Sequence, residues 1–154
     1  MDFVLWACRV VHLTSAVVWL GGLIFLNAVL KPVVDYRKGQ QAQLNLEILK
    51  RFQPFIWSSV WPLLVTGLLL MLLSPRFIWF DVSSLWSKLL VVKQVSFLLL
   101  VFFSWQMGKV LQKLGPAMAW EEFEGWWMAY SRLVRRSIFT GIVTLLAAAG
   151  MAVV

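Results

Sequence analysis

Four long apolar runs dominate the chain, and short polar segments separate them. Each run is continuous rather than alternating, and each has about the 20 residues that a helix needs to cross the hydrocarbon core of a bilayer. A membrane β-barrel would show alternating polarity instead. The pattern therefore predicts an all-α integral membrane protein, a four-transmembrane-helix bundle forming a single domain over residues 1–154, with spans at about 3–30, 55–73, 85–105 and 137–154.

The polar segments before the second and fourth spans have their own periodicity. Residues 37–52 place Leu44, Ile48 and Phe52 on one narrow helical stripe, and residues 119–136 carry acidic side chains early and basic ones late. Both patterns predict short amphipathic interfacial helices. Pro62 lies inside the second span and predicts a kink, unless Ser58 or Ser59 and neighbouring helices satisfy the backbone carbonyl that the proline leaves free.

Composition strengthens the membrane interpretation, and the charge gives it a direction. The 154 residues are 61% hydrophobic and 14% charged, with a net charge of +7. The basic residues cluster in segments 31–52 and 109–136, whereas the 74–84 connection contains only Arg76. This is a topology signal rather than a nucleic-acid-binding surface, and positive-inside counting places both termini on the non-cytoplasmic side.

Ionisable residues inside hydrocarbon are costly, so they are the first candidates for function. Arg9 and His12 lie in the first span, and Lys88 and Lys93 lie in the third. At 1.5 Å per residue, His12 is about 13 Å deep and Lys93 about 12 Å deep, whereas Lys88, at about 5 Å, can extend to the surface. The two lysines are about 140° apart around the helix, so we expect only one of them to face a shared site.

One face of the first span collects most of its polar and small residues, which are Cys8, His12, Ser15, Trp19 and Gly22. We expect this face to turn inward. Core packing accounts for most of it, although Trp19 also has the flat ring that can stack on a porphyrin or quinone. His12 is different, because it is the only histidine and a buried imidazole needs partners for its nitrogens. It could be a hydrogen-bonded core residue, a group that handles protons, or a ligand, since imidazole commonly binds haem iron and copper.

Two cofactors are compatible with these residues. A haem b could use His12 as one axial ligand and Lys88 or Lys93 as the second ligand or as a propionate partner, with Arg9 balancing charge. Alternatively, Cys8 and His12, one turn apart, could bind Cu(I). The chain has no phosphate-binding glycine loop, no catalytic Ser/His/Asp set and no zinc motif.

Two segments carry a resemblance to a known family. The first span, LWACRVVHLTSAVVWLGGLIF, resembles the opening helix of the CopD-like membrane family and its HemJ relatives in the pattern His-x-x-Ser-x-x-x-Trp-x-Gly-Gly. The segment LWSKLLVVKQVSFLLLV is similar to the family's third helix with its early lysine, here Lys88. The resemblance implies four helices, a location in the bacterial inner (cytoplasmic) membrane, and either copper handling or haem-containing protoporphyrinogen oxidation through His12 and Lys88.

Three functional hypotheses follow. The first is a haem b-binding, redox-linked membrane protein. The second is a non-catalytic subunit that packs against a larger respiratory or other membrane complex, or against further copies of itself, through the small residues of the fourth span. The third is copper transport or delivery through Cys8 and His12.

Overall fold

Four helices form the part of the chain that the computed structural model describes, which is residues 2–32, 40–78, 83–115 and 118–153. Helix α1 is Asp2–Phe25 and continues as a π-helical turn, Leu26–Leu30. Helix α2 is Gln40–Leu72, α3 is Leu85–Lys113 and α4 is Trp120–Val153. All four contain stretches long and apolar enough to cross a membrane, so the predicted all-α four-helix bundle is confirmed.

Three of the helices extend well beyond the predicted spans. Helix α2 begins at Gln40 rather than near residue 55, α3 continues to Lys113 rather than ending near 105, and α4 begins at Trp120 rather than near 137. The two amphipathic segments are therefore not separate interfacial helices, although residues 37–39 lie outside the described part. Continuing a helix across the interface avoids a second set of unpaired backbone groups at a helix end.

Helix α2 runs through both of its prolines, Pro54 and Pro62. Neither predicted serine bonds to the carbonyl of residue 58, which Pro62 leaves free. The Ser58 hydroxyl donates to the Phe55 carbonyl and the Ser59 hydroxyl to the Ile56 carbonyl. One turn further along, the Thr66 hydroxyl donates to the carbonyl of Pro62 itself.

The bundle consists of two closely packed helix pairs. Helix α1 packs along α2, and α3 packs along α4. The pairs meet each other more loosely, where α1 approaches α4 and where α2 approaches α3. Short connections between consecutive helices suit antiparallel neighbours, so the C-terminal end of α1 lies beside the N-terminal ends of α2 and α4. We call this the basic end, because it carries most of the lysines and arginines.

The two halves of the bundle bury different kinds of side chain. The basic end has a core of large apolar residues, including Leu23, Leu26, Leu49, Ile56, Met107, Leu111, Phe123 and Trp127. The half near the N-terminus of α1 buries fewer large apolar side chains, so small polar residues make up a larger share of its interior, namely Ser15, Thr66, Ser87 and Ser96. The basic end also buries Ser104, Ser131 and Ser137. A polar interior at membrane depth is expensive unless it serves close packing or a site. His12 lies in this polar half.

Candidate functional site

His12 connects α1 to α2 through its side chain. The imidazole Nδ1 lies 2.8 Å from the Thr66 hydroxyl oxygen. Thr66 is itself 7% exposed, and its hydroxyl lies 2.5 Å from the carbonyl oxygen of Pro62. A chain of two hydrogen bonds therefore joins His12, Thr66 and the backbone of α2.

This chain of hydrogen bonds assigns the imidazole tautomer. A hydroxyl has one proton to donate, and the Pro62 carbonyl can only accept. The Thr66 hydroxyl therefore donates to Pro62 and accepts from His12, which places the ring proton on Nδ1. With its proton directed toward α2, the neutral imidazole keeps the Nε2 lone pair free.

Lys93 is the lysine that approaches His12. It extends from α3, is half-buried, and lies within electrostatic range of the imidazole. The next residue, Gln94, donates from its side-chain amide to the Met71 sulfur at 3.3 Å and so contacts α2. Helices α1, α2 and α3 therefore each contribute a polar side chain to one neighbourhood in the polar half of the bundle.

Gly67 gives the imidazole its space on α2. A Cβ at this position would lie 3.2 Å from His12 Cε1 and 3.8 Å from Nδ1. The first distance is shorter than ordinary van der Waals contact between carbon atoms. The absence of a side chain at residue 67 therefore allows His12 to approach Thr66, and any larger residue there must displace the ring.

We expect Gly67→Ala to shift the imidazole by a few tenths of an ångström and to weaken its bond to Thr66. Because the chain has a single histidine, imidazole ¹⁵N resonances of the detergent-solubilised protein report His12 without assignment. The matched control is Gly125→Ala in α4, where a Cβ would have nothing within 4 Å. Unchanged His12 resonances in Gly67→Ala would show that Gly67 does not position the ring.

The other predicted site residues lie elsewhere. Arg9 and Lys88 are exposed, and Cys8 is half-buried one turn before His12. Trp19 is 5% exposed, and a Cβ at Gly141 of α4 would lie 3.6 Å from its ring. It therefore fills the core between α1 and α4, as the packing interpretation predicts. The Trp19 indole nitrogen has no hydrogen-bond partner among the described residues.

Sequence reasoning missed Thr66 and Gly67. Both lie in an apolar span, where threonine and glycine are common. Their partner, His12, is distant in the sequence, 54 residues from Thr66. One signal was available, because Thr66 follows Pro62 by one helical turn and threonine can bond to the carbonyl one turn back. No group of three or more His, Cys, Asp or Glu residues suited to a metal ion occurs within the described ranges.

Comparisons with protein-family models, with curated proteins and with solved structures find no match for this chain. The resemblance to the CopD-like family and its HemJ relatives therefore stays a prediction.

Proposed function

We propose that this chain is a haem b-binding, redox-linked membrane protein with His12 as an axial ligand of the iron. The observation that carries the proposal is the Nδ1 hydrogen bond to Thr66, which leaves Nε2 free. Haem-ligating and metal-ligating histidines commonly donate their second ring N–H to a protein acceptor, which fixes the tautomer and the ring orientation. The imidazole of His12, with Nδ1–H bonded to Thr66 and a lone pair on Nε2, fits a haem iron in this way.

Lys93 is the favoured second participant. Its amine can serve as the other axial ligand, or its ammonium can pair with a haem propionate. Lys88 is less suited to this role, because its side chain is exposed whereas Lys93 is half-buried within range of His12. With one histidine per chain, two histidine ligands would require a second copy or a partner subunit.

Each residue of the site has a definite task in this proposal. His12 would hold the iron, Thr66 would keep the imidazole in one tautomer and one orientation, and Gly67 would leave room for the ring. A bound haem b supplies one-electron transfer, and the apolar surroundings of the site would influence its potential. Arg9, three residues before His12 and exposed, would pair with a propionate near the membrane surface in this proposal.

An absorption spectrum of the detergent-purified protein tests the proposal. We expect a Soret band that changes on reduction and one haem b per chain in a pyridine haemochrome assay. Lys93→Ala should shift the visible spectrum or lower the haem content, whereas the matched variant Lys88→Ala should leave both unchanged. Protein purified from haem-replete cells without a Soret band would contradict the proposal.

Copper transport or delivery is the second candidate, and Cys8 favours it. The free thiol is half-buried one turn from His12, and thiolate with imidazole suits Cu(I). Two such ligands need at least one more, from a thioether or another chain. Stoichiometric copper, with no haem, that disappears in Cys8→Ser would favour this function over haem binding.

A further inference from the structure

A second site lies at the opposite end of the bundle from His12. A groove of about 660 Å³ opens between α2 and α3 at the basic end. Its walls include Lys50, Gln53 and Trp57 from α2 and Trp105, Gly108 and Lys109 from α3. The groove follows from the loose contact between these two helices, which belong to different helix pairs.

The charge in this groove has one sign. Lys50 and Lys109 line it from opposite helices, and no acidic residue is among its described lining residues. The Lys109 ammonium lies 3.4 Å from the centre of the Trp105 ring, so a cation–π contact fixes its position on the wall. Gln53 closes the gap between the two helices at its own level, because its amide nitrogen donates to the Ser104 carbonyl of α3 at 3.2 Å.

Gly108 makes this closure possible. A Cβ at residue 108 would lie 3.2 Å from the Gln53 amide nitrogen, which is tighter than an ordinary contact. The helices therefore approach closely at Gln53 and Gly108. Lys50 and Lys109 line the open, positively charged space beside this contact from opposite helices.

The span boundaries predicted from the sequence put the two lysines at the depth of lipid phosphates. Lys50 precedes the apolar span predicted to begin at residue 55, and Lys109 follows the one predicted to end at 105. At 1.5 Å per residue, they lie about 8 Å and about 6 Å beyond the hydrocarbon boundary. Tryptophan belongs at the membrane interface, and Trp57 and Trp105 line the groove on the bilayer side of the lysines.

The same helices provide a surface for acyl chains. Toward the membrane centre they expose large apolar side chains, including Trp61 at 65%, Leu98 at 65% and Phe102 at 47%. A ligand with a negatively charged head and long apolar tails would satisfy both parts of this surface. A free phosphate compound would satisfy only the upper part.

We propose that the groove between α2 and α3 binds the headgroup of an anionic phospholipid from the leaflet at the basic end. Lys50 and Lys109 pair with the phosphate, and Trp57 and Trp105 flank the glycerol region. Basic pockets between transmembrane helices are a known means of selecting anionic headgroups. The site is independent of haem at His12.

Native mass spectrometry of the detergent-purified full-length protein tests this proposal, with titration of dioleoyl phosphatidylglycerol against dioleoyl phosphatidylcholine. We expect phosphatidylglycerol to bind with a stoichiometry of one at concentrations where phosphatidylcholine does not. The double variant Lys50→Ala/Lys109→Ala should bind it about 30-fold more weakly, since each lysine near the membrane surface contributes roughly a five- to sixfold factor. Lys109→Arg should retain binding.

The matched control is Arg132→Ala/Arg135→Ala, which removes the same charge from exposed positions on α4 outside the groove. It should bind phosphatidylglycerol as the wild type does. An equal loss in both double variants would overturn the proposal in favour of general charge attraction. Equal binding of phosphatidylcholine would also overturn it, as would displacement of the lipid by glycerol phosphate at lipid-like concentrations.

Discussion

Replacing His12 by alanine is expected to remove haem from the purified protein completely. Replacing Thr66 by valine is expected to weaken haem binding about 10-fold to 100-fold. His12 is the single histidine of the chain, so its removal leaves no imidazole ligand. Valine has the shape of threonine but cannot accept the Nδ1 hydrogen bond of 2.8 Å. The measurement is the Soret absorbance per chain during titration of the apoprotein with haem.

Thr66→Ser is the matched control for the valine variant. Serine keeps the hydroxyl that accepts from His12 and donates to Pro62, so haem affinity should stay within a few-fold of wild type. If valine and serine give the same affinity, the hydroxyl does not orient the ligand. If His12→Ala retains the full Soret band, another residue holds the iron and the proposed function is wrong.

The same variants have a readout that needs no haem. In the apoprotein, the ¹⁵N resonances of a neutral imidazole distinguish the protonated nitrogen from the one with a free lone pair. We expect the Nδ1–H tautomer in wild type and in Thr66→Ser, and a mixture or the Nε2–H tautomer in Thr66→Val. An Nε2–H tautomer in the wild type would contradict the assignment of the hydrogen-bond chain.

The apolar spans could be predicted from the sequence because the bilayer imposes a length and a composition on each of them. The helix ends could not, because polar and amphipathic residues beside a span are equally compatible with a separate interfacial helix or a continuation. The buried face of such a segment was not predictable either, as the stripe predicted in residues 37–52 shows. Leu46 and Leu49 are the buried residues, at 5% and 2% exposure, whereas Ile48 is 44% exposed. Leu44 lies outside the described side chains.

The candidate site was predictable in part. His12 was evident because an ionisable side chain at membrane depth is rare and expensive, and the 140° separation of the two lysines indicated that one of them would face away. Which lysine faced His12 depended on the rotation of α3 about its axis. That rotation is set by packing on α4 and cannot be read from the spacing of residues within α3. Thr66 and Gly67 depended in the same way on the register between α1 and α2.

Among the described glycines, Gly141, where α4 contacts α1, should tolerate a larger side chain least well. A Cβ at Gly141 would lie 2.9 Å from Leu20 Cδ1 and 3.6 Å from the Trp19 ring. Gly141→Ala needs only a rotation of the Leu20 side chain, and it gains up to about 1 kcal/mol of helix propensity. Gly141→Leu also meets the buried Trp19 ring, so we expect it to lower the free energy of unfolding by about 1–3 kcal/mol.

Gly21→Leu is the matched control for Gly141→Leu, because a Cβ at Gly21 has nothing within 4 Å. It introduces the same side chain into an exposed helical position and should leave stability unchanged or raised through helix propensity. Unfolding of each variant by denaturant in the same detergent measures the difference. If both leucine variants have the stability of wild type, α1 and α4 do not pack closely at Gly141. If only Gly141→Leu is destabilised, the small residue in α4 is an internal packing position of the bundle rather than a free surface for another subunit.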